Sequence, residues 1–292
     1  MRSALYLGAI TAVAACSFSA GSASQDAISG TTSAGVDGRP FDARVDARVD
    51  AVPTPRRTRQ GLVLRYDFNE AAGATTVLDT SGVAPAANLR VLVNSGSAPT
   101  FTGTGLSTNG ATALVDVTGT SAGAKLAAAC TEAITVEAWI SQSPNVGSDG
   151  RIVSFSKTDD IAQNNLVVGS VADDVAGVVR TQQASGYGSA LYLPGGVTEV
   201  PQLVVLRYRS GQLKLQSLIG PSTAATDTVQ TQVLTGSLAW DATFRLVMLN
   251  STQYTSGNAR SWRGTISSIS FYCRNLSDTE IANDRLLGAE SL

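Results

Sequence analysis

From Gly61 onward the chain is a series of short apolar runs broken by turn residues. Leu62, Leu64, Tyr66 and Phe68 alternate with Val63, Arg65 and Asp67, the period-two pattern of a half-buried strand. Runs of the strand type follow at 89–93, 113–117, 134–140, 152–155, 166–171, 175–179, 203–208, 213–219 and 244–249. Turns rich in Gly, Ser, Asn and Asp separate them, as at Asn109-Gly110, Ser148-Asp149-Gly150 and Ser210-Gly211. Many short strands at regular spacing, with no long amphipathic helix before the end, predict an all-β fold: a two-sheet antiparallel sandwich of the jelly-roll type.

The pattern changes only at the C-terminal end. A strand at 264–273 runs directly into a helix signal. Ser277 is followed three residues later by Glu280, the spacing of a capping box, in which each side chain satisfies the other residue's free backbone N–H. Leu276 before the cap and Ile281 after it are spaced as a hydrophobic staple. The helix then carries Ile281, Leu286 and Leu287 and stops at Gly288, suited to a left-handed C-terminal turn. So short a helix is not stable alone, so it is expected to dock on the sandwich and close it.

The first 60 residues lack this periodicity. Arg2 and the small-residue apolar run 4–15 read as a secretion signal, well short of the roughly 20 apolar residues of a membrane-spanning helix. The run ends Val13-Ala14-Ala15-Cys16, which is similar to a bacterial lipobox, implying cleavage before Cys16 and lipidation of its thiol; ordinary cleavage near Ser22-Ala23-Ser24 is the alternative. Residues 16–60 then form a tether rich in Ser, Gly, Ala and Thr, with a repeat that starts at Asp42, Asp46 and Asp50 and leads into Pro53-Thr54-Pro55. The expected product is an extracytoplasmic envelope protein, an outer-membrane or cell-surface lipoprotein, with one domain at 61–288 held to the membrane by its lipid alone.

Composition narrows the chemistry. The 292 residues are 15% charged with a formal net charge of −2, and the basic cluster that stands out is Arg56-Arg57-Thr58-Arg59; a nucleic-acid partner would ask for a basic face. Histidine is absent, which removes Ser-His-Asp and Cys-His mechanisms and imidazole metal sites together. With Cys16 lipidated or discarded, Cys130 and Cys273 remain. In an oxidising compartment a pair of cysteines reads as a disulfide; two buried thiols acting as small apolar residues are the alternative.

Four pieces, in order, resemble the laminin-G-like jelly rolls of the concanavalin-A-like lectin/glucanase superfamily. They are Gly61-Leu-Val-Leu-Arg-Tyr-Asp-Phe-Asn-Glu70, Leu78-Asp-Thr-Ser-Gly82, Ile134-Thr-Val-Glu-Ala-Trp-Ile140 and the closing strand with its capped helix. The resemblance implies two stacked antiparallel sheets and a module that binds glycan or protein ligands. It also implies that the strand at 134–140 lies antiparallel beside the closing strand, which places Cys130 near Cys273 and permits the bridge. Some relatives hold calcium at the sandwich edge through acidic residues of the closing strand. Ser267 and Ser268 stand at those positions here, so the calcium ligand left to consider is Asp79, whose duller role is a turn former that bonds its own backbone.

Other constellations are weak. Glu132 and Glu137 imitate a glycosidase spacing, but Ile134 replaces the central Asp and the two point to opposite faces of a regular strand, so they are expected to be surface charges. Ser154 and Lys157 match a Ser-x-x-Lys spacing, but lie in a strand pattern and not at a helix start. Gly103, Gly105 and Gly110 lack the Lys of a phosphate loop, and the sequons at Asn250 and Asn275 have no glycosylation machinery in a bacterial lipoprotein. Ligand binding by exposed rings is the open possibility. Tyr187, Tyr192, Tyr254 and Trp262 fall in or near turn-rich segments, with Asn164, Asn165, Gln182 and Gln183 as polar neighbours. For any single aromatic the core or edge role remains ahead, and Trp139 and Trp240 are expected to pack. The sequence therefore favours a non-catalytic binding module, ahead of a structural or adhesive component and well ahead of a hydrolase.

Overall fold

The structure, a computed structural model, describes residues 57–289 apart from 94–97, 111, 118–120, 145–148, 158–162, 185–188, 221–226 and 256–259. Cys16, the signal and nearly all of the expected tether lie outside the described residues.

Among the described residues sixteen strands pair, all antiparallel, into two sheets. The first sheet runs β14 (Thr228–Gln232), β13 (Gln212–Ile219), β12 (Gln202–Arg209), β7 (Ala133–Gln142), β16 (Gly264–Tyr272), β5 (Leu106–Thr108) and β4 (Thr100–Phe101), with β1 (Leu62–Tyr66) also on β16. The second runs β11 (Leu191–Leu193), β10 (Asp174–Val179), β9 (Asn164–Val171), β8 (Gly150–Ser156), β15 (Arg245–Met248), β6 (Thr112–Asp116), β3 (Leu89–Val93) and β2 (Thr76–Val77). The expected sandwich is therefore present. Strands with four or more alternating residues are where the sequence pattern puts them. The two- and three-residue strands β2, β4, β5 and β11, and polar β14, are too short or too hydrophilic to show a period.

The inner faces share one core, in which Leu64, Tyr66, Val136, Ala138, Ile140, Leu166, Val168, Leu206, Ile269 and Phe271 are buried. A smaller second core lies on the outer face of the first sheet, where Leu62, Trp139, Leu203, Val205, Leu218 and Tyr272 pack with Leu276 and Ile281. β1 is thereby covered on both sides and all five of its residues are buried, not half of them.

The second core exists because α2 (Asp278–Leu287) docks there. Its capping box is formed: the Glu280 N–H donates to Ser277 Oγ at 3.2 Å, and the Ser277 N–H donates to Glu280 Oε2 at 2.8 Å. The staple residues Leu276 and Ile281 are both buried, and Gly288 ends the helix at φ 73°. The docked face differs from expectation. Ile281, Asp284 and Arg285 are buried while Leu286 is 54% exposed. Arg285 turns inward because its guanidinium bonds Asp227 and the carbonyls of Ile219 and Gly220.

The folded unit also takes in residues ahead of Gly61. Arg57 is buried and donates to the Gly288 carbonyl, while the Thr58 N–H donates to Asp284 Oδ1 at 3.0 Å. An eight-residue helix, α1 (Ala122–Ala129), interrupts the strands. Ser121 caps it by accepting from the Ala124 N–H at 3.0 Å, and Leu126 is its buried anchor. Its Ala-rich stretch carries too few large apolar residues to show a helical period.

β7 and β16 are antiparallel neighbours, with Thr135 opposite Tyr272. Cys130, just before β7, is disulfide-bonded to Cys273, just after β16, across a Cα–Cα distance of 4.5 Å. At the far end of the ladder β16 begins at Gly264. A Cβ there would lie 2.2 Å from the Ser141 carbonyl oxygen, and φ is 149°, so only glycine fits.

Candidate functional site

Side chains alternate across a strand, so Glu137, Trp139 and Ser141 of β7 share the outer face of the first sheet. Their partners on β16 are Ser270, Ser268 and Thr265, and those of Trp139 and Glu137 on β12 are Leu203 and Val205. α2, about 15 Å long, covers the Glu137 end of this face and shares the outer core with Trp139. The Trp139–Ser141 end is left as an open groove of about 770 Å³. Trp139, Ser141, Thr265 and Ser267 belong to its floor strands. Leu286, Leu287, Gly288 and Ala289 line it from the end of α2, and Asn69, Gly103 and Thr104 from the loops. Ser267 reaches the groove because the β16–β7 register slips between Ile266 and Ser268.

The groove is close to neutral. Asp67 is the one ionisable group among the described residues that line it, and it accepts from Arg65 Nε at 2.6 Å and from Thr80 Oγ1 at 2.6 Å. Trp139 is 4% exposed, and its indole Nε1–H is buried without a hydrogen-bond partner among the described residues. The lining thus pairs an aromatic ring and aliphatic α2 side chains with hydroxyls and one amide.

Under α2 the same face is charged and buried. Glu137 is 2% exposed, with Arg57 Nη1 at 3.6 Å and the Tyr272 hydroxyl at 3.4 Å from its Oε2. Burial, reinforced by the negative charge of Asp284, pushes the Glu137 carboxyl up to about 8 against the opposing pull of Arg57 and Arg65. Burial also raises Asp284. Glu132 is exposed as expected, but Glu137 is not a surface charge. The outer face of a sheet is solvated only where no helix covers it, and α2 covers it here.

The ring residues suggested by sequence do not form one site. Trp262 is 1% exposed and packs between the sheets, against the expectation of a surface ring. Its turn-rich neighbourhood misled because Trp262 joins the core, its backbone N–H donating to the Leu249 carbonyl at 2.9 Å. Tyr192 is 45% exposed on the edge strand β11 of the second sheet, and Tyr254 is half-buried in the loop after β15. Neither lines the groove. Tyr187 lies outside the described residues. Asn164 and Asn165 are buried, Asn165 holding the backbone of Asp241, while Gln182 and Gln183 are exposed. Trp139 packs on the outer core as expected of it, and Trp240 stacks on Phe155 at 5.2 Å.

Asp79 does not suit calcium. Its Oδ2 accepts from Lys125 Nζ at 2.8 Å and the Ala87 N–H at 3.0 Å, and its Oδ1 from the N–H groups of Ser81 at 3.0 Å and Arg65 at 3.3 Å. Burial pushes the carboxyl up, but the Lys125, Ser81 and Ala87 bonds outweigh it and hold it below its ordinary value. A carboxylate surrounded by donors and an ammonium has no lone pair left for a hard cation. Ser267 lines the groove and Ser268 is buried beside Trp139, so no second carboxylate comes from the closing strand.

Trp139 and the groove escaped the sequence reading, although a signal was present: Glu137, Trp139 and Ser141 alternate with Val136, Ala138 and Ile140 and so mark a structured outer face. Arg57 and Asp284 left no such trace.

No family model and no curated protein matches this chain. Solved structures do. The receptor-binding domain of a botulinum neurotoxin C/D mosaic serotype has 13% identity, covers 77% of this chain and 51% of its own, and superposes with a TM-score of 0.52. The binding domain of botulinum neurotoxin DC in complex with SialylT has 12% identity, covers 77% and 50%, and reaches 0.50. The chain spans about half the length of the structures it matches, and at this identity the likeness is one of fold.

Proposed function

We propose that the chain is an exported, non-catalytic binding module of the laminin-G-like kind, tethered to a bacterial envelope through Cys16 and taking a glycan or protein ligand. The groove beside α2 carries the reading. It is concave, lies within the range of about 300–1,000 Å³ usual for ligand sites, and mixes apolar surface with a few convergent polar groups. Glycoside hydrolysis ordinarily needs two carboxyl groups flanking the bond, and Asp67 stands alone and ion-paired among the described lining residues. The sandwich shared with the receptor-binding domains, one of them bound to SialylT, supports the same reading.

The test is to pass the full chain over glycan and surface-protein arrays, with release of reducing ends from polysaccharides measured in parallel. Saturable binding without hydrolysis is expected; turnover of any polysaccharide overturns the module reading. Cys16→Ser is expected to move the protein from the membrane to the soluble fraction, and retention on the membrane overturns the anchor.

A further inference from the structure

We propose that the groove beside α2 is the ligand site and that it selects uncharged glycans over acidic ones. The inference rests on the binding-module reading and narrows it to one place and one ligand class. An acidic sugar entering a partly enclosed site that already holds a carboxylate needs a cation to offset its lost water and the repulsion. No Lys or Arg is among the described residues lining the groove, and its one ionisable group, Asp67, is itself an anion. Arg65, which pairs with Asp67, is 0% exposed and also donates to Ser270 Oγ.

What the groove does offer suits a neutral polyol. Asn69 and Thr104 are exposed at the loop side, while Ser141, Thr265 and Ser267 are half-buried. An amide and hydroxyls both donate and accept, as sugar hydroxyls do. Trp139, which lines the same groove, carries a buried Nε1–H with no hydrogen-bond partner among the described residues, and such a group is costly to leave unsatisfied. A ligand hydroxyl oxygen that reached Trp139 would supply that partner. Leu286, Leu287 and Ala289 provide the apolar wall for the C–H faces of the ring.

The experiment is an array on which each oligosaccharide core is printed with and without terminal sialic acid, galactosyl-β1,3-N-acetylgalactosamine and its sialylated form among them. It is probed with the full chain and with the variants Trp139→Phe, Asn69→Ala and Ser267→Arg. Neutral cores are expected to bind, with sialylation weakening each. Trp139→Phe should lose about fivefold to tenfold, one hydrogen bond's worth, and Ser267→Arg should abolish neutral binding by filling the floor. Asn69→Ala, in an exposed loop, tests the site even if the floor variants fail to fold. Stronger binding of the sialylated members overturns the selectivity. Binding that all three variants leave unchanged overturns the site but spares the module reading. If the full chain binds nothing and a chain ending at Ala289 does, the groove is filled by the chain's own end, and the proposal fails. If neither chain binds a glycan, both the proposal and the glycan arm of the reading fall, and the protein arm remains for the surface-protein array.

Discussion

Arg57 Nη1 lies 3.6 Å from Glu137 Oε2, with both side chains 2% exposed or less. One residue comes from the segment that leads into the domain, the other from the middle of a central strand. Asp284 of α2 lies on the same Arg57 segment, accepting from Thr58. The entry segment, the sheet and the C-terminal helix thus meet around buried Arg57, which acts on the carboxyl groups of both Glu137 and Asp284.

Removing that cation leaves two carboxyl groups buried without it. Arg57→Ala is expected to cost about 1–3 kcal/mol, the scale for leaving buried polar partners unsatisfied, read as a lower urea midpoint with unchanged slope. Starting the chain at Gly61, where the strand pattern begins, should cost at least as much, since Thr58 is lost too. The double variant Arg57→Ala, Glu137→Gln should recover part of the loss. A single variant within 0.5 kcal/mol of the parent, the range of ordinary surface changes, would show the contact to be incidental.

The same cluster sets a pH dependence. Glu137 has its ordinary value of 4.5 pushed up to about 8 in the fold. Between those values the native state keeps a proton that the unfolded chain has released. Its favourable contribution is complete below about pH 4.5 and is lost as pH rises through 8, by up to about 1.4 kcal/mol per unit. Asp284, also raised, acts with the same sign. Glu280 acts oppositely: bonded to Arg274, it is held down to about 2, so its contribution is present above its ordinary value and is lost as pH falls through 2. Unfolding free energies at pH 5, 6, 7 and 8 should fall steadily for the parent, and Glu137→Gln should flatten that fall. Equal slopes for the two would remove Glu137 as the source.

What could be read in advance was whatever repeats or is local. The strand 89–93 carries its own period and is found as Leu89–Val93, and the capping box needs only Ser277 and Glu280, three residues apart. The position of β7 beside β16 was legible through the resemblance and not through any local pattern. The groove was not legible, since it depends on where α2 stops over the sheet, and that is set by Gly288 and by Arg285 reaching Asp227. Nor was the charge cluster, because Arg57, Glu137 and Asp284 are far apart in sequence and each alone resembles a surface charge. Trp262 shows the same gap from the other side, since turn residues nearby say nothing about which way a ring points.

Asp79 separates a structural carboxylate from a metal ligand. It accepts four bonds that join the loop after β2 to β1 and α1. Asp79→Ala strands those donors and is expected to cost about 2–3 kcal/mol. Millimolar calcium should leave the melting temperature of the parent unchanged, because a cation would have to displace the Lys125 ammonium. A calcium-dependent rise that Asp79→Ala abolishes would restore the ion.

The disulfide makes the last test, because several elements converge on it. Cys130 caps the end of α1 and precedes β7, while Cys273 follows β16 and donates its N–H to the Gly61 carbonyl at the start of β1. The bridge spans 143 residues of sequence, and in the chain-entropy model closing a loop of that length is worth about 5 kcal/mol. Since that gain arises in the unfolded chain, the Cys130→Ala, Cys273→Ala variant should keep the native circular dichroism spectrum and lose stability, with a markedly lower urea midpoint. Its denaturant slope should rise, because an uncrosslinked chain exposes more surface when it unfolds. Unreduced mass spectrometry of the parent should show a mass lower by two hydrogens than the reduced form. Two free thiols in protein made under oxidising conditions, or a variant as stable as the parent, would leave the β7–β16 ladder and the α2 clasp as the features that hold the closing strand.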